Sequence, residues 1–256
     1  MLADISPLHV SVAQTAEDIR AVQRLRYNVF VEELGGDGPL VDHTHRLEVD
    51  EFDPFADHLI LRDDRQLEGP TRGIVGVYRV MTDHHAKAAG GFYSEKEFDL
   101  SRLTNSNASL LELGRSCLHP DARSGPGLRT LWQGLAAYVA THKIDILFGV
   151  ASFHGTDPKR LCNTLSHLHH AFLAPPELRV TSKTPDAFEL LPAQDVDRKS
   201  AMRDTPTLIK SYLKLGGFIG QGVFVDHAFN TIDICLLLDT AQLSSAGTSP
   251  HMRREP

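Results

Sequence analysis

Apolar residues at helical spacing predict a first helix near the start of the chain. They recur from Ile19 to Phe30, and the segment opens with Thr15 and Asp18 in a capping-box-like arrangement. Glycines follow directly after this pattern and end it. The next stretch, 37–57, is acidic and rich in turn residues. It is predicted to be a long loop, and loops of that length are usually functional.

Runs rich in β-branched and aromatic residues predict strands. Three of these runs are His58–Arg62, Gly73–Met81 and Leu110–His119, and a polar, irregular segment over 82–108 precedes the third. The first two runs are joined by a polar turn, so they predict an antiparallel hairpin. The apolar run Ile144–Phe153 is typical of a strand that is buried on both faces.

A strand, a glycine-rich loop, a helix and a second strand form the best-defined unit of the sequence. The loop is Arg123–Gly127, and the helical pattern runs from Leu128 to about His142. The apolar face of this helix is predicted to consist of Leu131, Leu135, Ala136 and Val139. This order of elements is typical of a βαβ step with parallel strands.

The rest of the chain predicts more helices and strands. Helices are predicted at Lys159–Phe172 and from Thr205 to about Leu215, mixed structure over 178–204, and final strands at Phe218–Phe224 and Thr231–Leu238. Repeats and linkers are not evident in the sequence. We therefore expect a single α/β domain over residues 1–243, followed by a disordered tail at 244–256.

Composition narrows the functional classes. The 256 residues are 41% hydrophobic and 23% charged, which is typical of a globular chain and excludes a collagen, a coiled coil or wholesale disorder. The net charge of -7 argues against nucleic-acid binding. Cys117, Cys162 and Cys235 are far apart in sequence, so neither a disulfide framework nor a zinc site is indicated. Without a visible signal peptide or a long apolar run, we expect a cytoplasmic protein.

The glycine-rich loop is a candidate anion site. A strand that enters a helix through such a loop presents free backbone N–H groups and the positive end of the helix dipole to a phosphate. Gly125 and Gly127 would allow close approach of the backbone. An ordinary strand-to-helix connection that happens to contain glycine is the alternative interpretation.

Glu112 and Arg115 form a second candidate. Residues three apart on a strand point to opposite faces, so each of these two needs its own partner. Arg26, Asp50 and Asp53 are the obvious complements. Considered by spacing alone, these charges favour structural ion pairs over a reactive site, because a buried charge needs its counter-charge.

Other candidate motifs are less specific. His58 and Asp63 match an H-x₄-D acyltransferase pattern, but residues five apart on a strand face opposite sides, so we interpret this as a chance match. Cys117 and His119 share a strand face, where either a Cys–His nucleophile or a half-buried structural cysteine is conceivable. The remaining histidines lack metal-ligand spacing, so no metal site is predicted.

Several segments in the right order resemble a known family. The strand, glycine loop and helix resemble the core of the GNAT acyltransferases, and Tyr212–Phe218 is similar to their Y-x-x-x-G-F stretch. A series of charged residues resembles the one found in the acyl-homoserine-lactone synthase branch of these enzymes. In order along the chain, these residues are Arg26, Asp50, Asp53, Arg79, Glu112 and Arg115. The segments that most resemble the bacterial L-ornithine N-alpha-acyltransferases of ornithine-lipid synthesis are Leu25–Phe30, Gly91–Ser94, Glu112–Pro120, Leu131–Val139, Phe148–Pro158, Leu173–Leu178, Leu208–Gly217 and Phe229–Thr231.

This resemblance implies a GNAT fold, with a mixed central sheet flanked by helices, and an enzymatic activity. A 3-hydroxyacyl chain would move from the phosphopantetheine of acyl carrier protein to the α-amino group of L-ornithine, giving lyso-ornithine lipid. The same chemistry on glutamine or another amino acid, and a hemolysin-like membrane-active protein, remain as alternatives. The implied reaction needs no metal and no cofactor beyond the donor substrate, and peripheral contact with the inner membrane face would suit its lipid product.

The resemblance also implies roles for individual residues. Glu112 would be the general base, with Asp50 as the second choice. Tyr212 would either supply a proton to the leaving thiolate or be a core aromatic residue whose hydroxyl is satisfied. Arg26, Arg79 and Arg115 would either bind the substrate carboxylate or hold the acidic loop, and Asp50 and Asp53 could bind the cationic side chain of ornithine. The residues expected to bind the acyl donor are Cys117, Arg123, Gly125, Gly127, Leu128 and Arg129.

Two features of the sequence bear on the donor. Pro126 removes one N–H group from the glycine-rich loop, which weakens a pyrophosphate cradle and favours a carrier-protein arm over coenzyme A. An acidic carrier protein also requires a local basic patch on an acidic chain. The candidates for this patch are Arg123, Arg129, Lys159, Arg160 and Arg179.

Overall fold

A computed structural model describes residues 7–123, 126–184 and 187–241. Contacts within the chain cluster into two compact units. The first unit takes its residues from Met1–Gly91 and Leu113–Lys143, and the second from Phe92–Glu112 and Ile144–Pro256. The disordered tail predicted at 244–256 and the loop positions Ser124 and Gly125 lie outside the described residues.

The helices and strands of the described residues are as follows. The strands are β1 (Leu8–Val12), β2 (Val41–Asp42), β3 (Leu47–Glu48), β4 (Asp57–Asp63), β5 (Ile74–Thr82), β6 (Phe98–Asp99), β7 (Leu110–Leu118), β8 (Ile146–His154), β9 (Thr181–Ser182), β10 (Phe218–Ile219), β11 (Phe224–Asp226) and β12 (Thr231–Asp239). The α-helices are α1 (Ala16–Arg26), α2 (Asp83–Ala89), α3 (Ser101–Thr104), α4 (Pro126–His142), α5 (Cys162–Phe172), α6 (Arg198–Asp204) and α7 (Thr207–Lys214).

The first helix begins as the sequence predicts. The Thr15 hydroxyl accepts the backbone N–H of Asp18 at 3.1 Å, which satisfies one of the free donors at the helix start. After Arg26, however, the chain continues as a π-helix over Tyr27–Glu33. Periodicity does not distinguish a π-helix from an α-helix over so few residues, and π-turns are frequent at functional sites.

In the first unit, the strands follow the order β1, β4, β5, β7. β4 pairs antiparallel with both β1 and β5, which confirms the predicted hairpin. α1 packs against these strands through Ala21, Val22 and Leu25, which are buried in a cluster with residues of β4 and β5. The apolar face of α1 therefore brings its last residue, Arg26, into the interior of this unit.

In the second unit, Leu110–Glu112 of β7 pairs in parallel with Ile146–Phe148 of β8. This parallel pair, separated in sequence by α4, confirms the predicted βαβ step. β8 then pairs antiparallel with β12 along its whole length. β10 and β11 both pair antiparallel with β12. The pairing is thus mixed, and the predicted α/β class is confirmed.

Three local predictions are wrong. The segment 82–108 is not irregular throughout, because it holds α2, β6 and α3. The strand expected at Phe218–Phe224 is split into β10 and β11, and Gly222 between them has a φ of 79° that extended backbone does not adopt. On α4, Ala136 is exposed and Tyr138 is buried instead, because Leu131, Leu135 and Tyr138 follow the i, i+4, i+7 spacing of one face.

Two further predictions need adjustment. The loop predicted at 37–57 contains the short antiparallel pair of β2 and β3. The helix predicted from Lys159 begins with a 3₁₀ turn over Pro158–Leu161 before α5. In both cases the predicted element is present, and short-range hydrogen bonds set its exact bounds and its internal structure.

Candidate active site

A cluster of buried charges lies in the first unit, centred on Arg26. Its guanidinium bonds Glu48 through Nε, Asp53 Oδ1 at 2.6 Å, Asp53 Oδ2 at 3.1 Å and the carbonyl oxygen of Glu48 at 2.7 Å. The Gln23 side chain also donates to Asp53 Oδ2, at 3.0 Å. The Arg26 side chain is fully buried, so these bonds replace the water that its charge has lost.

Two more arginines complete this cluster. Arg79 of β5 pairs with Asp50 Oδ1, and Arg115 of β7 bonds Asp50 Oδ2 at 2.6 Å and Glu48 Oε1 at 3.1 Å. Three guanidinium groups thus meet three carboxylates, and the charges balance. The side chains of Arg26 and Arg79 are 0% and 1% exposed, whereas that of Arg115 is 13% exposed. Arg115 is the arginine of this cluster best placed to meet a ligand.

Electrostatics fix the ionisation of the cluster. The pKa of Asp53 is lowered to about 2, because Arg26 opposes and exceeds the desolvation that would raise it. The pKa of Asp50 is lowered as well, because Arg115 and Arg79 outweigh its burial. An aspartate held ionised by two arginines is a weak acceptor of protons. This geometry disfavours Asp50 as the general base and supports its structural interpretation.

His58 and Asp63 do not come together. His58 on β4 is buried beside the charge cluster, with Nε2 lying 3.4 Å from the carbonyl oxygen of Asp53. Burial lowers the pKa of His58 to about 4, so the ring is neutral at pH 7. Asp63, at the far end of the strand, accepts bonds from Arg65 and Gln66 instead. The alternation of side chains along β4 accounts for this separation.

Glu112 is the buried carboxylate of β7 in the second unit. Its Oε1 accepts the backbone N–H of Ser94 at 2.6 Å, and its Oε2 accepts the N–H of Tyr93 at 3.0 Å. Both donors lie in a 3₁₀ turn that follows Phe92. Phe92 itself packs edge-on against Phe148 of β8, with ring centroids 5.0 Å apart. An aromatic contact thus fixes the turn that orients this carboxylate.

β7 changes its backbone conformation directly after Glu112. The parallel ladder with β8 covers only Leu110–Glu112, although β7 continues to Leu118. Arg115 then adopts a φ of 48°, a left-handed conformation that is uncommon for a residue other than glycine. At Gly114, a Cβ atom would lie 3.3 Å from Nη2 of Arg79, so glycine permits the close approach of that guanidinium. Such interruptions of a strand are common beside active sites.

Tyr212 and Cys117 are both buried. Tyr212 lies on the inner side of α7, with Ile209 and Leu213. Burial raises the pKa of Cys117 to about 12, so its thiol is protonated at neutral pH. This disfavours Cys117 as a thiolate nucleophile and supports the interpretation that it packs in the core, where it joins the α1 cluster.

In the described part of the glycine loop, the backbone at Gly127 lies close to the carbonyl group of Ala122. A Cβ atom at Gly127 would lie 2.4 Å from the carbonyl oxygen of Ala122, so this position requires glycine. Arg123 forms two bonds with Glu33, at 2.5 Å and 2.6 Å, and donates to the carbonyl oxygen of Leu118. Its charge is therefore neutralised, which weakens its expected part in a basic patch. Leu128 and Arg129 follow in the first turn of α4, where Arg129 is exposed.

Three carboxylates of the second unit also lie close together. One oxygen each of Glu97, Asp226 and Asp233 lies within 4.8 Å of the others, a spacing at which acidic groups can share a cation. Acidic groups at this spacing are also common without a cation, and we assign them no function.

Sequence reasoning missed several residues of the candidate site. Glu48 was overlooked because it lies in the acidic loop between other carboxylates, and only its burial distinguishes it. Gln23 lies three residues before Arg26 on α1, and this helical spacing was the available signal. The backbone N–H groups of Tyr93 and Ser94 carry no side-chain signal, so a sequence cannot indicate them.

Comparisons with known proteins agree with this fold. A family model described as an acetyltransferase (GNAT) domain matches residues 25–133, which include the whole charge cluster and Glu112. The N-acyl amino acid synthase FeeM from uncultured soil microbes superposes with a TM-score of 0.53 at 13% identity, with 93% of each chain covered. The acyl-homoserine-lactone synthase LasI gives 0.51 at 14%, over 96% of this chain and 98% of its own. This chain is an acyltransferase of the GNAT class.

Closer relatives define its family. An L-ornithine N(alpha)-acyltransferase of Rhodobacter capsulatus is 50% identical over 245 residues, which cover 96% of this chain and 95% of the relative. A protein of the same name from Brucella abortus is 39% identical, over 96% of this chain and 89% of its own length. The chain belongs to the family of the L-ornithine N(alpha)-acyltransferases.

Proposed function

We propose that the protein transfers a 3-hydroxyacyl chain from acyl carrier protein to the α-amino group of L-ornithine, giving lyso-ornithine lipid. The acceptor is supported by the names of relatives that match nearly the whole chain. The donor is consistent with fold relatives that make acyl-homoserine lactones and N-acyl amino acids. A carrier-protein arm is also favoured by Pro126, which removes one N–H group from the glycine-rich loop that would cradle a pyrophosphate.

The observation that carries the proposal is the Glu112 carboxylate held by two backbone N–H groups. Both of its oxygens are fixed in position, and the carboxylate is almost completely buried. The α-amino group of an amino acid is protonated at neutral pH and must lose a proton before it can attack a thioester. The Glu112 carboxylate, fixed in this position, is the proposed acceptor of this proton, directly or through one water molecule.

The bond changes then follow. The amine nitrogen attacks the thioester carbonyl, a C–N bond forms, and the C–S bond breaks. Negative charge develops on the carbonyl oxygen during the attack, and the N–H groups of β7 beyond the end of its ladder with β8 are the proposed donors to it. The leaving thiolate takes a proton from Tyr212, and the second proton of the attacking nitrogen returns to Tyr212 through solvent as the amide forms. Glu112 releases the first proton to solvent, so that one proton is set free for each amide formed.

The charge cluster has a positioning role in this mechanism. Arg26 and Arg79 hold Glu48, Asp50 and Asp53 in place, so these carboxylates are fixed in position. Arg115, the most exposed of the three arginines, would bind the substrate carboxylate. Asp50 and Asp53 remain candidates for the cationic side chain of ornithine, although their present partners are arginines.

The lipid product bears on where the reaction takes place. A carrier-protein donor and a lipid product together would place catalysis in the cytoplasm, at the inner face of the membrane, with peripheral attachment. Among the described residues, no helix is both long enough and apolar enough to cross a bilayer.

The test is Glu112→Gln, assayed with a 3-hydroxyacyl carrier protein and with ornithine, lysine or glutamine as acceptor. We expect kcat to fall by at least about 10²-fold, the usual scale for the loss of a general base. The amide turns an N–H group towards one backbone donor, so a stability loss of about 1–3 kcal/mol is also expected. Glu17→Gln, on the exposed side of α1, is the matched control.

The possible results separate the parts of the proposal. Turnover by Glu112→Gln close to that of the wild type would remove Glu112 as the base. Wild-type transfer to glutamine or lysine in preference to ornithine would overturn the acceptor. Red-cell lysis without any acylated amino acid would overturn the enzymatic function as a whole.

A further inference from the structure

The outer faces of α6 and α7 carry cations that the proposed mechanism does not use. Lys199 and Arg203 are four residues apart on α6, and Lys210 and Lys214 are four residues apart on α7. Residues at this spacing share one face of a helix. Each helix therefore presents a pair of positive charges on one side.

The two pairs lie next to each other. Lys210 Nζ approaches the backbone carbonyl oxygen of Arg203 at 3.4 Å, which places the first cation of α7 at the end of α6. Only Thr205 and Pro206 separate the two helices in sequence. We name the four residues Lys199, Arg203, Lys210 and Lys214 the α6–α7 basic strip.

This strip is poorly neutralised by its surroundings. The segment 197–214 contains five cationic residues and two carboxylates, although the net charge of the chain is -7. One of these carboxylates, Asp197, caps α6 by accepting two backbone N–H groups, and the other, Asp204, pairs with Arg203 at 3.2 Å. Lys199 and Lys214 are exposed, and neither forms an ion pair with another residue that the structure describes.

The strip is held on a fixed base. Ala201 on α6 and Ile209, Tyr212 and Leu213 on α7 are buried on the inner side of the same helices. The buried Thr205 hydroxyl bonds the carbonyl oxygen of Ala201 at 2.8 Å and so fixes the junction. The cations thus sit on helices that are anchored by apolar contacts, and little order needs to be gained on binding.

We propose that the α6–α7 basic strip docks the acidic carrier protein that delivers the acyl donor. This inference rests on the proposed function. Charge complementarity steers an acidic protein to a local positive surface, even on a chain that is negative overall. The strip also replaces part of the basic patch expected from sequence, because Arg123 of that patch is paired with Glu33.

An acidic protein fits the strip better than a membrane does. Helices that lie in a membrane interface combine basic residues with large apolar side chains that insert into the lipid. The large apolar side chains found exposed among the described residues are Leu34, Leu40, Phe55, Leu67 and Leu190, and α6 and α7 contain none of these. The strip therefore carries positive charge but has no large exposed apolar side chains that could insert into a lipid bilayer.

The test is the charge reversal Lys199→Glu with Lys214→Glu in the full chain. The matched control is Arg20→Glu with Lys87→Glu, which makes the same change in net charge at exposed positions on α1 and α2. Each protein is assayed with a 3-hydroxyacyl carrier protein and with the same acyl group on pantetheine alone. Binding of fluorescently labelled carrier protein is followed by anisotropy at low and high salt.

For the strip variant we expect KM for the carrier-protein donor to rise at least about 10-fold at low salt, with a smaller difference at high salt. Turnover with acyl-pantetheine should stay unchanged, and anisotropy should show the same loss of affinity. The control variant should behave like the wild type with both donors.

Several results would overturn the inference. They are an unchanged KM for the carrier protein, an equal effect in the control variant, or an equal loss with acyl-pantetheine. Unchanged carrier-protein binding together with lost binding to phosphatidylglycerol vesicles would assign the strip to a membrane instead. If the wild type used neither donor, the proposed function would be contradicted and this inference with it.

Discussion

Arg26 is a fully buried cation whose charge is balanced on two sides. Glu48 and Asp53 both bond its guanidinium, and each of these carboxylates is itself buried. A buried ion pair adds modest net stability, but the removal of one partner leaves an uncompensated charge in the interior. The sensitivity of the fold to this single side chain should therefore be high.

We expect Arg26→Met to lower the free energy of unfolding by about 3–5 kcal/mol, because two buried carboxylates lose their counter-charge. Urea denaturation measures this change, and Arg20→Met, on the exposed side of α1, is the control, with an expected loss within about 0.5 kcal/mol. A loss below about 1 kcal/mol for Arg26→Met would show that the carboxylates are neutralised in another way.

The charged residues show how far a sequence can predict a site. The pairing of Arg115 with Asp50 followed from charge and from the alternation of side chains on a strand. The partners of Glu112 did not follow, because two of them are backbone N–H groups brought close by a turn 18 residues earlier. Backbone partners depend on tertiary structure, and a sequence pattern contains no information on them.

At the scale of elements, the packing of α4 on β1 depends on one glycine. Glycine within a helix usually costs about 1 kcal/mol relative to alanine. At Gly134, however, a Cβ atom would lie 2.3 Å from Cγ1 and 2.6 Å from Cβ of Val10. The Val10 Cβ cannot move without its backbone, so the helix and the strand would have to separate.

We expect Gly134→Ala to destabilise the protein by about 1–3 kcal/mol, because overpacking outweighs the gain in helix propensity. Thermal or urea unfolding measures the change. Val10→Ala provides the matched background, since it removes both methyl groups but keeps the Cβ atom, so the double variant should recover only part of the loss. Greater stability of Gly134→Ala alone would show that α4 does not contact β1 as described.

The elements themselves were largely predictable from periodicity. The long ones, such as β8 and α4, have many residues that report one period, and their order was sufficient to predict a parallel pair. The errors fall on short elements, where few residues carry the signal. β6, β9 and the π-helix at Tyr27–Glu33 are set by hydrogen bonds that tertiary packing selects.

At the scale of the whole molecule, charge is arranged in two different ways. The charge cluster of the first unit is neutral in sum, because three arginines meet three carboxylates. The whole chain has a net charge of -7, and α6 and α7 carry a local positive strip. Stability depends on the first arrangement, and the proposed recognition of an acidic donor depends on the second.

The buried charges also determine how the folded state responds to acid. His58 titrates with a pKa lowered to about 4 by burial, whereas an unfolded histidine titrates near 6.5. Between these values the unfolded chain binds a proton that the folded chain does not. Stability is therefore full above pH 6.5 and falls as the pH drops towards 4.

We expect His58→Gln to remove most of this acid slope, which amounts to up to about 3 kcal/mol in the wild type. Urea unfolding at a series of pH values between 7 and 4 measures it, and His227→Gln, at an exposed position, is the control. Below pH 4 both proteins should still lose stability, because Asp53 has a pKa lowered to about 2 in the folded state. The unfolded chain therefore binds this proton at a higher pH than the folded chain does. Parallel stability curves for wild type and His58→Gln between pH 6.5 and 4 would contradict a neutral, buried His58.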